Sequence, residues 1–237
     1  MSEADVSLRT TLYDINGGEQ SHLDFALAKG VQFDVLGHGM GGFQADSYGQ
    51  VCTSHSGEAG DVDGRMVYYR PASGGGYEFA FAMPLANGMT GAQYVPFNTF
   101  QPSQAPEELD FSVSNWIQLS NPNSTEQHGT MLFYDMGGTL LDTQWVTLPA
   151  GARRDFPAHA FGRNQVGVIE WLPDDLTLPF RLRNVRYYYA VPDFSADIFM
   201  SAAQFDGQKA TGSTVSVPLD GNGSSAIVEI SNVSDRQ

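Results

Sequence analysis

The feature that most constrains the fold is a tandem repeat, in which both halves of the chain carry the same residues in the same order. Tyr13-Asp14 recurs as Tyr134-Asp135, each followed by a glycine pair. The pattern Leu27-x-x-Gly30-x-x-x-Asp34-x-x-x-His38 recurs as Leu148-x-x-Gly151-x-x-x-Asp155-x-x-x-His159, at a constant offset of 121 residues, as from 13 to 134. Repeats of more than about 100 residues indicate tandem domains, because solenoid units have only about 20–50 residues.

Beyond this region the offset drifts, as loops of different length would cause. The order of the matches is nevertheless kept over the whole chain. The matched pairs are Gln50-Val51 with Gln165-Val166, Arg65–Tyr69 with Arg183–Tyr187, Tyr94–Phe97 with Ser216–Leu219, and Ser120-Asn121 with Ser231-Asn232.

Each copy of the repeat predicts short β-strands. Polar and apolar residues alternate in Gln144–Leu148, Val166–Trp171, Phe180–Tyr187 and Thr214–Leu219, and these segments are rich in β-branched and aromatic residues. Gly-Gly and Pro-Ala-Gly sequences separate them. Seven or eight short strands in about 115 residues, without a βαβ rhythm, predict an all-β protein of two tandem homologous β-sandwich domains.

The motifs resemble those of immunoglobulin-like β-sandwich modules from bacterial secreted and surface proteins. The similarity lies in a strand ending in Leu119-Ser120-Asn121, a Pro/Ser turn, a strand ending in Tyr134-Asp135, a glycine pair, and Leu148-Pro149-Ala150-Gly151. It covers roughly residues 115–160 and, more weakly, 5–40. The resemblance implies an immunoglobulin-like sandwich with an adhesive, spacer or assembly role.

The repeat can be divided in two ways. In one, the domains are 1–121 and 122–237, and each is complete. In the other, the Trp116 strand pairs with the Tyr134 strand as a hairpin, so that the second domain starts near residue 113 and strand 226–232 is left over. That spare strand could complete the first domain of its own chain, of a partner in a swapped dimer, or of the next copy in a filament. Its side chains Ile227, Val228 and Ile230 are the predicted assembly residues.

Composition limits the partners. The chain has 237 residues and a formal net charge of −15, so we expect it to repel nucleic acid and anionic membrane surfaces. It has no apolar run of the roughly 20 residues that a spanning helix needs. Cys52 is the only cysteine, which excludes an internal disulfide. An extracellular or cell-surface location is expected, with a leader absent from this chain, and a cytoplasmic one stays open.

Two repeated polar patterns could carry chemistry. Asp34/His38 and Asp155/His159 could bind a metal or form a base held by a carboxylate, but repeated polar residues at strand ends more often satisfy turn backbones. Carboxylates in loops between strands are weak calcium candidates because calcium prefers oxygen ligands. These candidates are Asp61, Asp63, Asp174 and Asp175.

Aromatic residues provide a third possibility. Trp116, Trp145, Trp171 and the run Tyr187–Tyr189 could stack on a sugar, with Tyr188 and Trp171 as the ligand candidates, although aromatics on strands are more often core. No catalytic residue or cofactor is predicted. The function predicted from the sequence is a non-catalytic structural subunit that self-assembles by donating its C-terminal strand. A carbohydrate-binding module is the first alternative, and a metal-dependent enzyme is the second.

Overall fold

The protein is nearly all-β. The computed structural model describes residues 5–42, 48–71, 73–99, 113–189 and 199–207, and these contain strands, two short 3₁₀ helices and no α-helix. None of the described segments is a helix of the length and apolarity that a membrane crossing requires. The strands are β1 (Val6–Asp14), β2 (Glu19–Leu27), β3 (Gly49–His55), β4 (Arg65–Pro71), β5 (Tyr77–Pro84), β6 (Met89–Thr90), β7 (Gln93–Asn98), β8 (Val113–Ser120), β9 (Gln127–Asp135), β10 (Leu140–Leu148), β11 (Arg153–Pro157), β12 (Val166–Pro173), β13 (Pro179–Tyr189) and β14 (Phe199–Asp206).

The described strands form four antiparallel sheets, which we divide into two groups. One sheet has the order β10-β9-β12-β7 and another has the order β11-β8-β13-β14, with β6 paired to the start of β13. We call these two sheets the closed pair. The remaining sheets have the orders β2-β1-β3 and β4-β5, and we call them the open sheets. The 3₁₀ helices, Gly37–Gly39 and Ala158–Phe161, occupy corresponding places in the two copies of the repeat.

The main hydrophobic core lies within the closed pair. Both of its sheets contribute side chains without solvent exposure, and burying each large apolar side chain contributes about 1.5–3 kcal/mol. The alternation of apolar and polar residues directs every second side chain into this core, as the burial pattern of β7 shows. The largest fully buried residues are Trp171, Phe97, Phe133, Phe180, Ile117, Leu119, Met131, Leu148, Ile169 and Leu182.

The open sheets repeat the strand register of the closed pair. Val6 lies opposite Leu27 in the β1–β2 hairpin, and Gln127 lies opposite Leu148 in the β9–β10 hairpin, each displaced by 121 positions. The turns also agree, because Asp14 and Asp135 both accept hydrogen bonds from backbone N–H groups of their own turns. Gly17 and Gly138, which correspond at the offset of 121, both adopt positive φ, at 87° and 81°, and this conformation explains a glycine at that position in both turns.

A glycine corrects the predicted alignment of β3 with β12. Gly49 lies opposite Asp14, and Gly167 lies opposite Asp135. A Cβ on either glycine would meet the carbonyl oxygen of the preceding tyrosine in the neighbouring strand, so the close approach of the two strands requires glycine. The offset here is 118, from 49 to 167. The predicted match of Gln50-Val51 with Gln165-Val166, at an offset of 115, is therefore wrong by three residues.

The predicted hairpin between the Trp116 strand and the Tyr134 strand is also wrong. β8, which contains Trp116, pairs with β11 and β13, whereas β9, which contains Tyr134, lies in the facing sheet. The short Asn-Pro-Asn-Ser connection crosses from one sheet to the other. The predicted domain boundaries, at 121 or near 113, stay predictions.

Candidate assembly site

β7 and β8 lie between the two copies of the repeat in sequence, and both are integral strands of the closed pair. β7 forms an edge beside β12, with Val95 opposite Ile169. β8 lies between β11 and β13, so that Ile117 faces Phe156 on one side and Asn184 on the other. Without β8, these two neighbours would lose their ladder partners, and unpaired buried backbone groups are costly.

Buried asparagines hold these two strands in place. The Nδ2 atom of Asn115 donates to the carbonyl oxygen of Asn98 at 2.8 Å, and its Oδ1 accepts from the Nδ2 atom of Asn184 at 3.1 Å. Asn184 also donates to the carbonyl oxygen of Pro96 at 2.7 Å. Asn115 and Asn184 are fully buried, so losing either partner would leave polar groups unsatisfied at about 1–3 kcal/mol each.

Asn121, at the exit of β8, closes the end of the strand. Its Nδ2 atom lies 2.9–3.0 Å from the carbonyl oxygens of Thr125, Leu148 and Pro149, and its Oδ1 accepts from the backbone N–H of Asn123. The side chain is fully buried. The sequence shows that the Ser-Asn pair recurs, and this recurrence is the signal that could have identified Asn121 as a structural residue. Its hydrogen bonds at the end of β8 were not predicted.

The open sheets have no counterparts of β7 and β8 among the described residues. By the repeat, those counterparts are 216–219 and 226–232, which lie outside the described part of the chain. Within that part, β3 pairs with β1, and β4 pairs with β5. Residues 32–36, the counterpart of β11 at the offset of 121, do not form a strand. The ladder partner of β11 is β8.

β4 differs from its counterpart β13 in the solvent exposure of one matched valine. Val67 is 46% exposed, whereas its counterpart Val185 in β13, at the offset of 118, has no exposure. Val185 lies opposite Trp116 of β8, and Phe81 of β5 packs edge-on against Tyr187 on the same face of β13. Among the described strands, β4 pairs with β5 alone, whereas β13 pairs with both β8 and β14.

The predicted assembly residues cannot be placed. Ile227, Val228 and Ile230 lie outside the described residues, so their role stays a prediction. Their counterparts at the offset of 111, from 120 to 231, are Trp116, Ile117 and Leu119. Ile117 and Leu119 are fully buried in the closed pair.

Three of the four predicted calcium ligands accept hydrogen bonds within their own turns. Asp61 and Asp63 each accept a hydrogen bond from a backbone N–H within three residues. Thr177 donates to Asp175 from its hydroxyl at 2.6 Å and from its N–H at 2.9 Å, and these bonds lower the pKa of Asp175. The backbone N–H of Asp174 donates to a carbonyl oxygen of a neighbouring strand. In the described part of the chain, no three His, Cys, Asp or Glu side chains are grouped as a metal site would require.

The second Asp/His pair serves other contacts. Arg153 binds both oxygens of Asp155, at 2.8 and 2.7 Å. The Nδ1 atom of His159 lies 3.0 Å from the carbonyl oxygen of Asn115, and its ring lies edge-on to Trp116. The contacts of His159 tie the 3₁₀ helix to β8, whereas the Asp155 ion pair lies within β11.

The first Asp/His pair lies in the corresponding segment of the open sheets. Asp34 accepts a hydrogen bond from Gln32 at 2.8 Å, and His38 lies on the 3₁₀ helix with an exposed side chain. In the second pair His159 contacts β8, and the counterpart of β8 lies outside the described residues.

The predicted ligand aromatics differ in access. Trp171 has no solvent exposure and packs edge-on against Phe180, so the structure places it in the core and not on a binding face. Tyr188 is half-buried on β13. Trp145 is instead the exposed tryptophan, at 61%, and its ring stacks on His128.

Two titratable groups reflect the burial of their strands. Burial on β13, together with nearby Arg181, lowers the pKa of Arg183 to about 10, while the Asp206 carboxylate partly offsets this. Burial raises the pKa of the Cys52 thiol on β3. The thiol is therefore protonated at neutral pH, which suppresses its reactivity as a nucleophile.

Comparison with known proteins leaves the family open. No family model matches the chain, and no curated protein matches it. Among solved structures, the chain is similar to "Crystal Structure of Thermotoga maritima 1070", with 10% sequence identity and a TM-score of 0.37, over 53% of this chain and 98% of that one. At that TM-score the likeness supports no argument about this chain.

Proposed function

We propose that the chain is a non-catalytic structural subunit of an extracellular or cell-surface assembly, built from two homologous immunoglobulin-like sandwich units. Copies join when the C-terminal segment of one copy completes the open sheets of the next. The segment 216–219 adds to β3, and the segment 226–232 adds to β4.

The observation that supports this proposal is that β7 and β8, the repeat counterparts of these two segments, complete the closed pair. Applying the registers of the closed pair to the open sheets gives defined neighbours. Val217 would lie opposite Val51, and Ile227 would lie opposite the exposed Val67. β-branched residues facing one another across strands stabilise a sheet by roughly 0.2–1 kcal/mol per pair.

The end of the donated strand has a defined contact as well. Asn232 is the counterpart of Asn121, whose side chain binds the carbonyl oxygens of Leu148 and Pro149. Their counterparts at the offset of 121 are Leu27 and Ala28. The side-chain amide of Asn232 would therefore bind these two carbonyl oxygens on the accepting copy, which lie at the end of β2.

The test compares the molar mass of the purified chain over a range of concentrations with that of a chain ending at Gly223. Light scattering is expected to show a mass that rises with concentration for the full chain and stays at one copy for the shortened chain. V228D and I230D, which place a charge on the donated strand, are expected to behave like the shortened chain. V233D is the matched control, because its counterpart is the exposed Pro122 in the turn after β8.

A full chain that stays at one copy at every concentration would contradict the proposal. Equal assembly of the full chain, V228D and I230D would contradict it as well, because the strand would then contribute nothing. The two point variants keep the test valid if the shortened chain does not fold.

One observation favours a second function, carbohydrate binding. The ring of Trp145 is 61% exposed on β10, and its stacking partner His128 lies at a centroid distance of 6.0 Å with an interplanar angle of 12°. Flat exposed aromatic surfaces of this kind are typical of sugar contacts, because an indole ring offers a large rigid apolar face.

A glycan array with the wild type and W145A tests this second function. The expected result is binding to a defined class of glycans that W145A abolishes and L141A retains. Leu141 is the matched control, since it is an exposed apolar residue on the same strand. Absence of binding, or equal loss in both variants, would contradict it.

A further inference from the structure

The β2-β1-β3 sheet meets the closed pair at a joint between two turns. Gly17, in the β1–β2 turn, lies so close to the carbonyl oxygen of Ala150 that a Cβ could not be accommodated. The backbone N–H of Arg153 donates to the carbonyl oxygen of Ile15 at 3.1 Å. A Cβ on Gly151 would stand 3.1 Å from the ring of Tyr13. The contacts thus connect the β1–β2 turn with the turn between β10 and β11.

The start of β3 strengthens the joint. The Nη1 atom of Arg153 donates to the carbonyl oxygen of Gly49 at 2.6 Å, and its guanidinium lies over the ring of Tyr48. The side-chain amide of Gln50 donates to the carbonyl oxygen of Gly151. The bond from the charged Arg153 guanidinium is stronger than a bond between neutral groups.

The joint is asymmetric. A two-fold arrangement would bring the β9–β10 turn, which contains Gly138, against the turn that contains Gly30. A Cβ on Gly138 or on Gly30 would have no described atom within 4 Å, whereas both of their counterparts, Gly17 and Gly151, are in close contact. The joint is therefore heterologous, and each of its two surfaces has an unused counterpart elsewhere on the chain.

The residues of the joint are less exposed to solvent than their counterparts on the two unused surfaces. Ile15 is half-buried in the joint, and its counterpart Met136 is 81% exposed. Ala152 is 2% exposed, and its counterpart Val31 is 54% exposed. Each unused surface thus presents an apolar residue at the position that is covered within the chain.

We infer that a second copy of the chain occupies these surfaces, so that the Met136 turn of one copy packs against the Val31 turn of the next in the geometry of the internal joint. The inference rests on the proposed assembly and adds a second contact to strand donation. Because the contact is heterologous, copies join head to tail.

The variants that test the joint are M136D and V31D, each placing a charge on one of the two surfaces. Each is expected to raise the concentration at which assemblies form by about tenfold or more, since a charge excluded from water opposes association. L176D is the matched control, because Leu176 is equally exposed, at 54%, in the turn between β12 and β13 and is none of the joint residues named above. It is expected to assemble like the wild type.

A mixture of M136D and V31D gives the sharper result. The V31D chain keeps an intact Met136 surface, and the M136D chain keeps an intact Val31 surface. The expected product is a one-to-one pair with twice the mass of one chain and nothing larger, measured by light scattering at a concentration where neither variant assembles alone. Absence of this pair would overturn the inference.

The outcomes separate the joint from strand donation. If V228D and I230D block assembly but M136D and V31D match L176D, strand donation stands and the joint is wrong. If the wild type stays at one copy at every concentration, both are wrong. If M136D and V31D block assembly and V228D does not, the joint stands and strand donation is wrong.

Discussion

The end of β8 allows the sharpest test of how a strand is held in the closed pair. Replacing Asn121 with alanine removes a fully buried amide whose Nδ2 atom lies within 3.0 Å of three carbonyl oxygens. The amide has two N–H groups, so one of them is shared between two acceptors. Its Oδ1 also accepts from the backbone and side-chain N–H groups of Asn123, and these donors lose their partner.

The expected loss in the free energy of unfolding is about 3 kcal/mol. Each lost hydrogen bond contributes about 1 kcal/mol, and the buried groups left without partners add to that cost. With a denaturant slope of roughly 2 kcal/mol per molar urea, this loss lowers the urea midpoint by about 1.5 M.

Tryptophan fluorescence is the assay, because all three tryptophans, Trp116, Trp145 and Trp171, lie on strands of the closed pair. The signal therefore follows the closed pair and not the open sheets. N16A is the control, since Asn16 is exposed and such a change normally alters stability by less than about 0.5 kcal/mol.

N121D completes the set by retaining the shape of the side chain. Its carboxylate would face the carbonyl oxygens that the amide now binds, so N121D is expected to lose at least as much stability as N121A. A midpoint shift below about 0.3 M for N121A, or a wild-type midpoint for N121D, would refute the role assigned to Asn121.

Three further predictions concern the core and β3. Phe133→Ala is expected to lower the free energy of unfolding by about 3–5 kcal/mol in the same urea assay, because the ring is buried against the facing sheet; a loss below about 1 kcal/mol would contradict the packing described. Gly167→Ala is expected to cost about 1–3 kcal/mol, since its Cβ would meet the carbonyl oxygen of Tyr134 and the ring of Phe97; wild-type stability would show that the two strands do not approach as closely as described. Cys52 is expected to react with iodoacetamide at pH 8 at least about tenfold more slowly than cysteine in an unfolded peptide, because burial raises the pKa of its thiol; equal rates would mean that β3 is not covered.

Much of the local structure could be predicted from the sequence. The Tyr-Asp and Gly-Gly motifs correctly located the end of a strand and the turn after it in both copies, since turn chemistry is short-range. β1–β2 and β9–β10 agree even in the position of the register shift, beside Tyr13 and Tyr134. The alternation of residues also identified β10, β12 and β13 as strands.

The pairing of strands distant in sequence could not be predicted in the same way. β8 and β9 are joined by a short turn, which favoured a hairpin. They lie instead in the two facing sheets, and their apolar residues enter the shared core from opposite sides. Ile117 and Leu119 identify a buried strand without indicating which sheet contains it. The sequence allowed Trp171 either in the core or on a binding face for the same reason, because an aromatic on an alternating strand fits either face.

The two contacts proposed between copies differ from their internal counterparts in one physical respect. Inside the chain, β7 and β8 are covalently connected to the strands on either side of them, so their docking occurs at a high effective concentration. A donated segment on a separate copy must offset the loss of translational and rotational freedom, an estimated 4 kcal/mol or more. The same strand registers and turn contacts should therefore be permanent within the chain and concentration-dependent between copies. Dilution of an assembly is expected to release intact single chains whose tryptophan fluorescence still reports a folded closed pair. Loss of that signal on dilution would contradict the proposal that the contacts between copies are weaker than those within the chain.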